Sequence, residues 1–192
     1  GKIIAFPTNT EYKIGGDPHN SKVIERIFQI KFRETAKGLP LLFLDSKEAQ
    51  KVASFNERAL KLADKFWPGQ LKLILRKKVS DVLPEYIATN RGTLSLQIPE
   101  NPIILDLLQR LKTESGFGGL ISTSASYSGE PPMTSGAEVA RKFLTPIGLI
   151  LDAGKTKKAG KTTIIDCTTE EPKIIRIGKI SEEEILNVLE NS

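Results

Sequence analysis

Lys31 and Arg33 stand two residues apart, with Lys37-Gly38-Leu39-Pro40 close behind. Lysine brings a compact charge and arginine a planar fork that can hold two oxygens at once, a pairing suited to a polyphosphate. If helix gives way to extended chain at Lys31, the two cations point to one side. A cationic helix end favoured by the macrodipole explains the same residues equally well. A second group, Ser122-Thr123-Ser124-Ala125-Ser126-Tyr127-Ser128-Gly129, crowds hydroxyls and small residues behind apolar Leu120-Ile121. At a strand end such a run lets an anion approach backbone donors, and it also reads as an ordinary loop.

Two Gly-Lys-Thr triplets, at Gly154 and Gly160, suggest a phosphate loop, but Gly148, Gly154 and Gly160 enclose five residues where that motif needs four. Thr162 also leads into a strand rather than a helix. The Walker motif is excluded, and the stretch, with Lys157 and Lys158, reads as a basic solvated loop, phosphate or nucleic-acid contact being the alternative. One cysteine, Cys167, and one histidine, His19, rule out an internal disulfide and a Cys/His zinc site. His19 has no partner in view for general-base work, and Asp166 could serve a site group or a turn equally.

These groups must be held by a framework that the apolar pattern outlines. Strand-like runs recur at Ile3 to Phe6, Leu41 to Leu44, Leu71 to Leu75, Leu94 to Ile98, Ile147 to Leu151, Thr163 to Asp166 and Ile174 to Ile177. Between them, Asn20 or Ser21 caps a helix with Val23, Ile27 and Ile30 on one face, ending near Lys31. Asn56 precedes another with Leu60, Ala63 and Trp67 in step, stopped by Pro68-Gly69, so Trp67 is expected in the core. Asn101-Pro102 opens a third, with Ile103, Ile104, Leu107, Leu108 and Leu111 in register. Ser135 with Glu138 and Ser181 with Glu184 are capping boxes. The interleaving, over 192 residues with 39% hydrophobic positions, predicts one α/β domain, 1–192, whose sheet order the sequence does not reveal. The net charge of +5 is mild and compatible with an anionic partner. The apolar run in Gly1 to Pro7 is too short for a signal-peptide core, and no stretch is long enough for a membrane span, so a cytoplasmic protein without membrane contact is expected.

Six ordered blocks carry a resemblance: Pro7-Thr8-Asn9-Thr10-Glu11-Tyr12; Lys31-x-Arg33 with Lys37-Gly38-Leu39-Pro40; Trp67-Pro68-Gly69; Ser122-Thr123-Ser124-Ala125 with Ser128-Gly129; Lys161-Thr162-Thr163-Ile164-Ile165-Asp166; and Ile175-Arg176-Ile177-Gly178. In this order they resemble the YrdC-like, or TsaC, threonylcarbamoyl-adenylate synthases, from Gly1 to Gly178. The resemblance implies a twisted mixed sheet with flanking helices, curved around a concave basic cavity. It implies a nucleotidyltransferase that makes threonylcarbamoyl-adenylate and pyrophosphate from L-threonine, bicarbonate and ATP for tRNA modification. By similarity, Lys31, Arg33 and Ser124 match the phosphate-binding catalytic set, with Mg2+ bridging the ATP phosphates and no protein metal ligand. Thr8, Thr10 and Tyr12 match the block near threonine and the adenylate, although Tyr12 could be a core aromatic. Ser122 and Ser126 belong to the hydroxyl run, while Thr162, Thr163 and Arg176 match later blocks lining the same cavity. tRNA or another RNA and a downstream threonylcarbamoyl transferase are implied partners.

Four departures from the family pattern stand out. Ser126 replaces an asparagine, Lys13 a glycine, Gln97 an arginine before an apolar residue and proline, and Gln70-Leu71-Lys72 follows Trp67-Pro68-Gly69 where threonine is usual at position 72. Lys72 can replace the charge lost at position 97 only if the two share the cavity. The departures keep two other readings open. One is a diverged, non-catalytic RNA- or nucleotide-binding relative, and the other an enzyme carrying a carbamoyl group to a different acceptor, as in larger carbamoyltransferases. The chain begins almost at its first strand and shows only a short capped helix, Ser181 to Asn191, after Gly178, as expected of the short, single-domain branch.

Overall fold

The first strand turns straight back on itself. β1 (Ile4–Pro7) pairs antiparallel with β2 (Tyr12–Gly15), Pro7 opposite Tyr12. Thr8 holds the turn between them: its Oγ1 donates to Glu11 O at 2.7 Å and accepts from the Thr10 and Glu11 amides at 3.3 Å. β8 (Thr123–Ser124) joins β2, and β9 (Leu149–Ile150) runs parallel to β1, completing a four-stranded sheet ordered β8-β2-β1-β9. The computed structural model describes every residue except 80–81, 128, 145–146, 157–159 and 191–192. Ser128, Lys157, Lys158 and Asn191, named above, lie outside the described residues.

A seven-stranded sheet faces this small one. Its order is β11 (Lys173–Arg176), β10 (Thr163–Asp166), β5 (Leu71–Lys77), β6 (Thr93–Gln97), β3 (Leu41–Phe43) and β7 (Gly119–Ile121), with β4 (Ala53–Ser54) also on β5. The β10–β5 and β3–β6 pairs are parallel and the other pairs of this sheet antiparallel, as the expected mixed sheet requires. The β-structure thus divides into two sheets, and the chain crosses between them at buried Ser122, from β7 to β8. Alternation along β5 sets the two faces: Leu71, Leu73 and Leu75 are fully buried, whereas Lys72 and Ile74 face the opposite side, half-buried.

The helices form where capping and apolar spacing agree. α1 (Ser21–Lys31) starts at Asn20, whose side chain accepts from the Val23 amide, and buries Val23, Ile24, Ile27, Phe28 and Ile30. α2 (Ser46–Val52), capped by Asp45, is a short helix that the apolar spacing does not announce. α3 (Glu57–Phe66) begins at Asn56 as expected, but buries Ala59, Leu62 and Ala63 and leaves Leu60 on its outer face. Trp67 caps its end, packed in the core with Nε1 donating to Leu71 O at 2.8 Å. α4 (Pro102–Ser115) seats Ile104 and Leu108 against Phe6, Leu42 and Leu120 and ends at left-handed Gly116. α5 (Gly136–Lys142) and α6 (Glu182–Glu190) start at the two capping boxes. Among the described residues no helix is long and apolar enough to cross a membrane.

Candidate active site

Strand register builds the floor of the site. Leu73 of β5 pairs with Leu96 of β6, which places Lys72 and Gln97, the next residues toward the open end, side by side. Lys72 pairs with Ile164 of β10, Ile164 with Arg176 of β11, and Gln97 with Leu42 of β3. Arg176, Ile164, Lys72, Gln97 and Leu42 therefore form one row across the large sheet, and all five line a cavity of about 380 Å³. The β1–β2 turn with Lys13 and Ser124 of the small sheet closes over it, and Gln70, Ser122, Lys161 and Thr162 complete the walls.

Within this cavity Lys13, Lys72, Lys161 and Arg176 outnumber Glu11 and Glu100. Glu11 accepts from the Lys13 ammonium and, at 2.6 Å, from Ser124 Oγ. Burial pushes its pKa up, but Lys13, Ser124 and the field of Lys72 outweigh this and hold the carboxyl below its usual range. The Lys72 ammonium has no hydrogen-bond or ion-pair partner among the described residues, and burial, reinforced by Lys13 and Arg176 against Glu11, brings its pKa down to about 7. Next to it, Gln97 Nε2 donates to Gly69 O at 2.8 Å, while the buried Oε1 of Gln70 has no partner among the described residues. Arg176 donates through Nε and Nη2 to Thr162 O, at 3.0 and 2.8 Å, tying β11 to the Gly160–Thr162 segment.

A second cleft, of about 350 Å³, adjoins the first and shares Ser124 and Pro132 with it. Lys31, Arg33, Lys37 and Ser126 line it. Lys31 and Arg33 do converge, although not through extended chain: α1 runs to Lys31, and exposed Phe32, at φ 43° and ψ 41°, turns the backbone through the left-handed region. Lys31 Nζ donates to Ser124 O at 3.0 Å, to Ser126 Oγ at 2.9 Å and to Ser126 O. Burial, then the charges of Lys13 and Arg33, lower its pKa to about 8, against the opposing pull of Glu11. Arg33 is braced by Gly38 O at 2.8 Å and Lys37 O at 2.9 Å.

Of the residues expected at the site, Thr8, Thr10, Ser122, Ser124, Thr162 and Arg176 line the first cavity, and Lys31, Arg33, Ser124 and Ser126 the second. Tyr12 and Thr163 are not brought there. Tyr12 is fully buried, its hydroxyl donating toward Asp152 Oδ1 and Gly154 O at 2.9 Å and accepting from the Ala153 amide at 3.0 Å. Thr163 is fully buried too, its Oγ1 donating to Ile180 O at 2.8 Å and accepting from the Gly178 and Ile180 amides. Both belong to matched blocks but lie behind the wall. Conversely, Lys161 and Thr162, read as part of a solvated loop in one view of the triplets, stand in the wall, and Glu11, Gln70, Glu100 and Asn101 join the cavity although none is among the site residues expected from the sequence. Charged Glu11 and Lys13 inside an otherwise strand-like segment were the available signal. Lys72 and Gln97 do share the cavity. Among the described residues no group of three or more His, Cys, Asp or Glu side chains could hold a metal ion.

A basic cavity between a small and a large mixed sheet, opening through a shared serine wall onto a second cationic cleft, defines an α/β domain with a concave, cation-lined site. The chain belongs to the Sua5/YciO/YrdC family, whose model, described as telomere recombination, matches residues 1–178. It is 33% identical to the threonylcarbamoyl-AMP synthase of Pyrococcus abyssi over 98% of this chain and 54% of that protein. It is 30% identical to the threonylcarbamoyl-AMP synthase of Bacillus subtilis over 98% of this chain and 53% of that protein. The crystal structure of P. abyssi Sua5 complexed with L-threonine superimposes with a TM-score of 0.86 at 33% identity, covering 98% of this chain and 54% of that one. The chain spans about half the length of these relatives.

Proposed function

We propose that this protein is a nucleotidyltransferase that converts L-threonine, bicarbonate and ATP into threonylcarbamoyl-AMP, pyrophosphate and water. The observation that carries this reading is the pair of adjoining cavities meeting at Ser124, one lined by Lys31, Arg33 and Lys37 and the other by a polar floor deep enough for an amino acid. The names of the relatives and the threonine complex support the same substrates. The threonine ammonium gives one proton to bicarbonate, which splits into carbon dioxide and water, and the freed amine bonds to the carbon of carbon dioxide, losing a second proton to solvent as the carbamate forms. The resulting carbamate oxygen attacks the α-phosphorus of ATP as the bond to pyrophosphate breaks. Negative charge passes from the carbamate to the leaving pyrophosphate, so the protein's contribution is positioning and charge stabilisation, with no covalent intermediate on a side chain.

Lys31 and Arg33 are suited to the leaving pyrophosphate, and Ser124, on the wall common to both cavities, to the transferring phosphorus. Mg2+ accompanies ATP, held by phosphate oxygens as is usual for this ion. In this reading the product's consumer is a transferase that moves the threonylcarbamoyl group to tRNA, and the reaction is assigned to the cytoplasm, where ATP and tRNA are both at hand. The test is pyrophosphate release from MgATP, with mass detection of the adenylate. Release that needs both threonine and bicarbonate is expected; release indifferent to threonine, or none, overturns the reading.

A further inference from the structure

We propose that Lys72 holds the carboxylate of the amino-acid substrate while Gln70 Oε1 accepts a hydrogen bond from an N–H or O–H of the same molecule, the cation thus standing one strand away from neutral Gln97. The inference rests on the proposed function and goes beyond it by naming the groups that select the amino acid.

Two groups of opposite kind stand on one face, a buried amide oxygen without a partner and a half-buried ammonium. Gln70 and Lys72 are two residues apart at the start of β5, so their side chains point the same way, and both line the inner cavity. Gln70 is 6% exposed and its Oε1 lacks a partner, an uncompensated cost in the free protein that a ligand donor would remove. Lys72 lacks any hydrogen-bond or ion-pair partner among the described residues. The nearby Glu11 carboxylate accepts from Lys13 and Ser124 through Oε1 and makes no hydrogen bond to Lys72 among the described residues. Burial, Lys13 and Arg176 outweigh the supporting field of Glu11 and depress the pKa of Lys72, so a further anion is what would hold its proton in place.

The combination disfavours an internal phosphate of a nucleotide. Its fully ionised oxygens only accept hydrogen bonds, which would satisfy Lys72 and leave Gln70 Oε1 unpaired. An amino acid with a hydroxyl presents a carboxylate for the ammonium and N–H and O–H donors for the amide oxygen. Position 97, where the resemblance leads one to expect arginine, is the neutral Gln97, one N–H of which donates to Gly69 O. The register places Lys72 directly beside it, so the cavity keeps a cation on its floor although the residue has changed strand.

Calorimetric titration in the presence of MgATP tests this with two ligands, L-threonine and L-threoninol, which keeps the amine and hydroxyl but lacks the carboxylate. The proteins are wild type, Lys72→Met, Gln70→Leu and the double variant Lys72→Thr with Gln97→Arg. Wild type is expected to bind threonine about tenfold or more tighter than threoninol. Lys72→Met should lose that advantage while keeping its threoninol and MgATP affinities. The double variant should recover threonine binding to within about threefold of wild type, and Gln70→Leu should weaken both ligands alike. The carboxylate assignment is overturned if Lys72→Met binds threonine as wild type does, weakens threoninol equally, or weakens MgATP instead. The Gln70 assignment is overturned if Gln70→Leu changes neither ligand. Wild-type protein that binds MgATP but neither threonine nor threoninol would overturn the proposed function itself, a result distinct from any difference among the variants.

Discussion

Ser124 Oγ donates a 2.6 Å hydrogen bond to Glu11 Oε1, bridging β8 and the β1–β2 turn at the wall the two cavities share. This puts an ionised carboxylate beside a site suited to polyphosphate, where it neutralises Lys13 and repels the ligand. Replacing Glu11 with Gln removes one negative charge and frees the Lys13 ammonium. MgATP should bind about fivefold tighter at fixed ionic strength, roughly 1 kcal/mol for a charge pair at a partly solvated site. Unchanged or weaker binding by titration would mean that Glu11 organises the site rather than guarding it.

Lys31 supplies a pH signature. Its pKa of about 8 reflects burial, Lys13 and Arg33, opposed by Glu11, so it is charged at neutral pH and loses its proton well before an ordinary lysine. A bound phosphate favours the charged form, so ATP affinity should fall by up to about tenfold per pH unit above pH 8. The Lys31→Arg variant should keep a flatter profile because its guanidinium stays protonated. A wild-type profile with no fall from pH 7 to 9.5 would remove Lys31 from the phosphate contacts.

Much of this architecture is legible in the residues, and the rest fails for identifiable reasons. α1 and α4 begin where Asn20 and Asn101-Pro102 place them, because local caps and a long apolar period reinforce each other. β2 is hidden, since charged Glu11 and Lys13 stand before and within its short apolar pattern and find compensation in each other, in Ser124 and in Lys72, both distant in sequence. The runs around Leu73 and Leu96 announce strands, but that Lys72 and Gln97 are neighbours follows only from their pairing register. Block membership likewise cannot separate a side chain in the wall, such as Thr162, from one supporting it behind, such as Thr163.

Keeping Lys72 charged should cost stability. Its folded pKa, about 7, lies below the roughly 10.4 of an unfolded lysine, so the unfolded chain binds the proton more tightly. The penalty is full below pH 7 and shrinks as pH rises from 7 toward 10.4. Lys72→Met should therefore stabilise the protein at pH 6 by about 1 to 2 kcal/mol, allowing for partial solvation, with the gain fading above pH 8. Chemical denaturation at several pH values checks the sign; a variant less stable at pH 6 would show that the ammonium is held by favourable contacts.

The same lysine should draw a proton with its ligand. The groups around it are Lys13 on β2, Glu11 on the turn, Arg176 on β11, Arg33 beyond α1, and Lys161 and Glu100 in the cavity wall. At pH 8 it is mostly neutral in the free protein, and a carboxylate beside it restores its charge. Threonine binding should take up about one proton at pH 8 in wild type and none at this site in Lys72→Met. Titrations in buffers of different ionisation enthalpy measure the difference, and equal uptake by both proteins would count against the pairing.

Tyr12 and Thr163 separate support from contact. The Tyr12 hydroxyl ties β2 to the Asp152–Gly154 segment, and Thr163 Oγ1 fastens β10 to Gly178 and Ile180, both away from the cavity. Tyr12→Phe and Thr163→Val keep the shape of each side chain and remove its hydrogen bonds, leaving buried partners unpaired. Each should cost about 1 to 3 kcal/mol of stability, seen as a lower denaturation midpoint. Threonine and ATP affinities at low temperature, where the folded state remains dominant, should stay within about twofold of wild type. A loss of affinity without a loss of stability would place the hydroxyl in the site after all. The reverse pattern is expected of Ser124→Ala, because Ser124 Oγ stands in the cavity wall with its donor turned to Glu11.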